Sequence, residues 1–293
     1  MGIPLDSIPM LRGSALTLAA ASILGALIAG CSRPRPGFER TVTTPWRATF
    51  GGESSDSETF TIPTIGQQNV VVDLFAGDVT VRATASPPGT GDEQGTATVT
   101  ITRKGMHGPT RKADSTASLP DITATVGSEW REGMSTILVT ATTSHPEPWL
   151  QAADVDITVP MLGSVVVRTA RGHVYVTNNS RGVDIETSKG DVRVVTQLPM
   201  RDPSTILNRD GDIDWRVSGQ SAGIYDLESV GGLVFARCPV GKWMCTEPTN
   251  TDRRLFARLN DGTARVVMRN VDGDIRVAVL NNPADIGTYI WNP

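Results

Sequence analysis

The chain is poor in several things from which active sites and membrane spans are made. Only 5% of its 293 residues are aromatic, and it has three histidines, none after His173. A late catalytic histidine is thereby excluded, and His107, His145 and His173 show no metal-ligand spacing. Lys and Arg total 27 against 31 Asp and Glu, a formal net charge of −4. That balance removes the basic footprint expected of a nucleic-acid binder. No stretch sustains a 3.6-residue apolar period with caps, so almost no helix is expected beyond a single turn at Leu150–Ala153. The N-terminal apolar run, Ala15–Ala29, is fifteen residues, short for a membrane span.

What the chain does have is alternation. From Gly163 to Val195 a glycine opens each short segment and apolar residues follow on every second position. Val165 and Val167 follow Gly163, Val174 and Val176 follow Gly172, and Val192 and Val194 follow Gly190. This is the pattern of half-buried strands. Gly-Asp-apolar-x-apolar recurs at Gly77, Gly190, Gly211 and Gly273. Steps from Gly172 to Gly190, Gly211 and Gly231 are 18, 21 and 20 residues, and the step on to Gly273 is 42. A period near 20 built of two short strands predicts a parallel β-solenoid or β-roll. An antiparallel β-sandwich with glycine-containing hairpins would show similar alternation and is the alternative.

The N-terminus supplies an address. Arg12 precedes the apolar run, which ends in Leu27-Ile28-Ala29-Gly30-Cys31. Two small residues before a cysteine resemble the lipobox of bacterial lipoproteins. That resemblance implies a signal peptide over 1–30, cleavage before Cys31, and diacylglycerol and an acyl chain on that cysteine. Met10 offers a second start, from which the signal would have conventional proportions. A plain transmembrane anchor with an incidental cysteine is the other reading. Ser32 is not the aspartate that retains lipoproteins at the inner membrane, so the outer membrane is implied where the organism has one. Residues 31–58 read as a polar tether, followed by a β-repeat domain over 59–293. Residues 155–280 are its most regular part, and 281–293 read as a C-terminal cap.

The strand VDITVP followed by glycine-led V-x-V segments resembles a bacterial repeat family of proposed adhesins. Those are exported or membrane-anchored β proteins of unknown function, and the likeness spans about residues 60–280. It implies no catalytic residues.

Candidate site residues are few. Cys238 and Cys245 remain once Cys31 is set aside, and their CPVGKWMC spacing predicts a disulfide loop in an oxidising compartment. Trp243 inside that loop is a candidate contact aromatic, or packs over an end of the repeat. Asp210, Asp212 and Asp214 alternate faintly like a calcium loop, without the sixth-position glycine and twelfth-position acid of an EF-hand. The plainer expectation pairs Asp214 with Arg193 across strands and sets Asp191 and Asp212 in mutual repulsion. Ser221 in Gly-Gln-Ser-Ala-Gly formally matches a nucleophile elbow but sits among β-patterned flanks. Trp215, at an inward position, is expected in the core.

The expected protein is a lipid-anchored envelope protein with no cofactor, whose non-catalytic solenoid surface serves adhesion, binding or scaffolding. Its partners would be the membrane and an envelope or surface ligand, protein or polysaccharide, and not nucleic acid. A polysaccharide-active β-helix enzyme using Asp212, Asp214, Arg193 and Arg276 is the alternative. An envelope sensor or assembly factor is a third.

Overall fold

The computed structural model describes residues 39–41, 52–84, 94–131, 134–245 and 250–284. Residues 1–30, Cys31 and residues 285–293 of the expected cap lie outside them. Among the described residues no helix is long and apolar enough to cross a membrane.

In chain order the first strands are β1 (Glu39–Thr41), β2 (Glu53–Ile65), β3 (Gln68–Leu74), β4 (Val79–Ala83) and β5 (Gln94–Met106). Then come helix α1 (Lys112–Ala117), β6 (Ile122–Arg131), β7 (Met134–Thr143), β8 (Gln151–Val159), β9 (Leu162–Thr169) and β10 (Val174–Thr177). β11 (Val183–Thr187), β12 (Val192–Thr196), β13 (Ser204–Asp210), β14 (Ile213–Ser218) and β15 (Gly223–Ser229) follow. The last are β16 (Val234–Arg237), β17 (Trp243–Cys245), β18 (Arg254–Leu259), β19 (Arg265–Asp272) and β20 (Ile275–Leu280).

These strands form two mixed ten-stranded sheets. One runs β1-β2-β5-β8-β4-β10-β12-β14-β20-β16, the other β17-β18-β15-β19-β13-β11-β9-β3-β7-β6. In the first sheet β8 through β16 pair in parallel, and β1, β2 and β5 add on antiparallel beside β8. In the second, β15 through β7 pair in parallel, flanked by antiparallel β6 at one edge and β18 with β17 at the other. Each two-strand unit therefore gives one strand to each sheet.

Registers show why the valines recur. Ile157, Val81, Val176, Val194, Trp215 and Val277 form one continuous inward row of the first sheet, each fully buried. Val72, Val167, Ile185, Ile206, Met268 and Leu227 do the same in the second. Burying a side chain of this size stabilises by about 1.5–3 kcal/mol. A lone two-strand unit cannot cover its apolar row, and a neighbour on each side does.

Three features depart from expectation. Units do not stack in chain order: β19 and β20 insert between the β13–β14 and β15–β16 units. Parallel neighbours are joined by crossovers rather than tight turns, so nothing local fixes which unit lies next. Strand β2 begins at Glu53, inside the segment read as tether, because its polar residues pair with β5 through Ser57–Thr102 and Thr59–Thr100 hydroxyl bonds of 2.8 and 3.1 Å. Finally, α1 lies at Lys112–Ala117, where no helix was expected. Pro109 starts the preceding 3-10 turn, and buried Ser115 donates its hydroxyl to the Gly52 carbonyl at 2.6 Å. At six residues, α1 is too short to display a helical period.

Candidate functional site

The recurring glycines stand in a column along the first sheet. Gly190 has φ +132°, and a Cβ there would lie 2.2 Å from the Gly172 carbonyl oxygen of the adjacent unit. Gly211 repeats this against Gly190, with φ +131° and 2.4 Å. A side chain is thus barred twice, by torsion and by contact. The close approach lets the backbone ladder continue around the corner, as in Gly190 N–H to Asp210 O at 2.8 Å and Val192 N–H to Asp212 O at 2.8 Å.

The residue after each glycine builds a second ladder. Asp154 Oδ1 accepts the Asp78 amide at 3.0 Å, and Asp78 Oδ1 accepts the His173 amide at 2.7 Å. His173 Nδ1 accepts the Asp191 amide at 3.0 Å, Asp191 Oδ1 that of Asp212 at 2.9 Å, and Asp212 Oδ1 that of Asp274 at 2.8 Å. Asp274 Oδ1 closes the series on the Leu233 amide at 3.0 Å. Asp191 and Asp212 were expected to repel. Instead one oxygen of each is committed to the next unit's N–H, which turns the carboxylates into a structural column.

The outward atoms fall into two groups. Arg276 reaches Asp212 and Asp274, each at 2.8 Å; burial opposes its charge, but the two carboxylates outweigh it and raise its pKa. Asp214 holds Arg216 through two bonds of 2.9 and 2.7 Å and pairs with Arg193 at 3.2 Å, the cross-strand pair anticipated from sequence. Lys104 takes Asp154 at 2.6 Å; burial opposes this charge too, and Asp154 with Glu53 and Asp78 overcomes it, raising the pKa. No ion pair reaches Asp78 among the described residues. Among the described residues, the one titratable partner within ion-pair distance of Asp191 is the His173 ring, 3.6 Å away.

That less committed middle of the column opens into a groove of about 460 Å³. Gly77, Gly172, Gly190 and Gly211 lie along it, with Asp78, His173 and Asp191 beside them. Lys104, Arg171, Lys189, Asp154 and Asp210 complete its charged walls. Arg171, in the groove wall, donates to the backbone carbonyls of Trp149 and Gln151 at 3.0 and 3.1 Å; the Trp149 residue is 59% exposed.

The other candidates disperse. Asp210 sits 3.8 Å from Lys189, and Asp212 and Asp214 are engaged by arginines. Among the described residues no three His, Cys, Asp or Glu side chains gather to hold a metal ion, so the calcium loop does not form. Ser221 is fully buried and its Oγ accepts the Met200 amide at 3.0 Å, which no nucleophile elbow allows. Trp215 lies in the core, as expected. Trp243 packs against Tyr225 with ring centroids 5.1 Å apart, covering the β15 end of the core instead of projecting as a contact point.

The disulfide expectation is corrected. Cys238 and Cys245 are both free thiols. Cys238 directly follows β16 at the edge of the first sheet, and Cys245 ends β17 at the edge of the second. Burial pushes the Cys238 thiol up to about 12, while Cys245 is exposed.

Sequence reading found the Gly-Asp corners but missed the groove. Asp154 follows alanine, Lys104 lies on an antiparallel strand, and Arg171 belongs to a bend, so none carries the repeat's signature.

Comparison with known proteins gives a family match over part of the chain. Residues 148–278 match the family described as Toastrack DUF4097. No curated protein matches the chain. Among solved structures, a proposed cell adhesion protein of Clostridium sporogenes is 6% identical, covering 76% of this chain and 100% of its own at a TM-score of 0.47. A proposed adhesin of Bacteroides fragilis is 11% identical, covering 76% and 97% at 0.27. Another, of Parabacteroides distasonis, is 10% identical, covering 77% and 97% at 0.21.

Proposed function

We propose that the chain is a lipid-anchored envelope protein whose two-strand units form a parallel β-solenoid, a rigid non-catalytic surface for binding or adhesion. The observation that carries this reading is the corner column. Its carboxylates are used to hold one unit to the next, and Asp212 and Asp214, the acids that the sequence singles out for hydrolysis, are neutralised by Arg276, Arg216 and Arg193. A general acid or a nucleophile needs a carboxylate free to exchange its proton or attack. Acylated Cys31 would anchor the chain, and the segment between it and β1 would give reach.

Two measurements test it. Cells expressing the full chain should incorporate radioactive palmitate into the protein, and Cys31→Ala should abolish the label. Label persisting in that variant rejects the lipid anchor. Incubation with cell-wall and plant polysaccharides should release no new reducing or unsaturated ends. Release that disappears in Asp212→Asn would establish the enzyme reading instead.

A further inference from the structure

The groove's chemistry selects a class of ligand, and the inference drawn from it rests on the non-catalytic binding reading. Three successive units present outward atoms that the column leaves over. Asp78 Oδ1 is taken by the His173 amide, leaving Oδ2 as an acceptor. His173 accepts at Nδ1, which places its ring proton on Nε2 as a donor. Asp191 Oδ1 is taken by the Asp212 amide, leaving Oδ2 as a second acceptor. The row thus reads acceptor, donor, acceptor, one group per unit, at the spacing of about 4.8 Å set by strand pairing.

Each simple charged ligand meets a conflict along this row. A metal cation between the carboxylates would face the Nε2–H of His173. An anion would face two carboxylates. The walls add a single net positive charge, that of Arg171, because Lys104 is tied to Asp154 and Lys189 lies near Asp210, and the carboxylates of Asp78 and Asp191 outweigh it. Hydroxyl groups both donate and accept, so a polyol satisfies all three positions. A pyranose ring linked through opposite ends is close in length to one unit step, so successive sugars would meet successive units. The glycine corners, which admit no Cβ, leave a side-chain-free strip on which flat rings can lie. Exposed Trp149, whose backbone carbonyl is held by groove-lining Arg171, would supply an aromatic face for the apolar side of a sugar.

We propose that this groove binds an extended, uncharged saccharide chain, held by Asp78, His173 and Asp191 along the stacking direction. The test titrates the full chain in detergent micelles with cellohexaose and with chitohexaose, followed by calorimetry. At least one should bind. Asp78→Asn with Asp191→Asn keeps the Oδ1 acceptors of the column but exchanges the outward carboxylate oxygens for amides. It should weaken binding about tenfold, the loss expected when a charge-assisted bond is weakened or removed. Asp212→Asn, outside the groove, should bind as the parent does. Trp149→Ala, remote from the column, should also weaken binding, and remains informative if the double variant melts early. No binding of either hexasaccharide, or binding indifferent to both the double variant and Trp149→Ala, overturns the proposal. Cleavage of a bound hexasaccharide would instead overturn the non-catalytic reading while leaving the groove's ligand class standing.

Discussion

At Gly190 torsion and contact act together. An alanine there must adopt φ +132° and place its methyl 2.2 Å from a backbone oxygen that cannot swing away. Gly190→Ala should therefore cost about 2–4 kcal/mol in urea unfolding, combining backbone strain with overpacking. Gly127, in β6, has nothing within 4 Å of an added Cβ, so Gly127→Ala should change stability by less than about 1 kcal/mol. Equal effects at the two sites would remove the glycine column as a structural element. The thiols make a second residue-scale case. With Cys31 replaced, two thiols per chain should titrate in denaturant. In the native protein at pH 8 only Cys245 should react quickly with a disulfide reagent. Cys238 is held protonated by burial, with a pKa near 12 against the usual 9. A thiol raised on folding contributes stability below pH 9 and loses it as pH climbs toward 12, so Cys238 labelling should accelerate across that window. A chain with no titratable thiol would instead contain the disulfide.

Among elements, alternation was enough to place most strands, because each valine's side of the sheet is fixed by its parity in the sequence. The Asp column was only half legible. Gly-Asp pairs at 77, 190, 211 and 273 stood out, yet His173 plays the same part with an imidazole nitrogen, and Asp154 does so after an alanine. A hydrogen-bonding role can be filled by different side chains, whereas a buried row tolerates only similar volumes. Stacking order was hidden for another reason: the contacts that choose it are made between units distant in the chain. Its energetic consequence is specific. Met268 and Val277 on β19 and β20 are fully buried between units that precede them by dozens of residues. Met268→Ala and Val277→Ala should each destabilise by about 2–4 kcal/mol, as deletions at a central position do. Losses under 1 kcal/mol, as at an outermost unit, would contradict the insertion.

For the unit from Gly37 to Pro293, stability is shared between neighbours, so it should fall toward the ends of the stack. Val176, Val194 and Ile213 are fully buried or nearly so, each with a parallel strand on both sides. At one end, β16 pairs only with β20, and its Ala236 and Arg237 are exposed. β17 is likewise an edge strand of three residues. Arrays in which each unit contacts only its neighbours open from their ends, with free energies that rise inward. Native-state hydrogen exchange should thus find the slowest amides in β10, β12 and β14, and exchange faster by at least about a hundredfold in β16 and β17. The order matters for binding as well, because the groove beside Gly77, Gly172 and Gly190 lies over the inner, slow part. A ligand there would meet a surface already formed, with little ordering to oppose it. Uniform protection from β10 through β17 would mean that the whole sheet opens as one block, and the inward gradient would have to be abandoned.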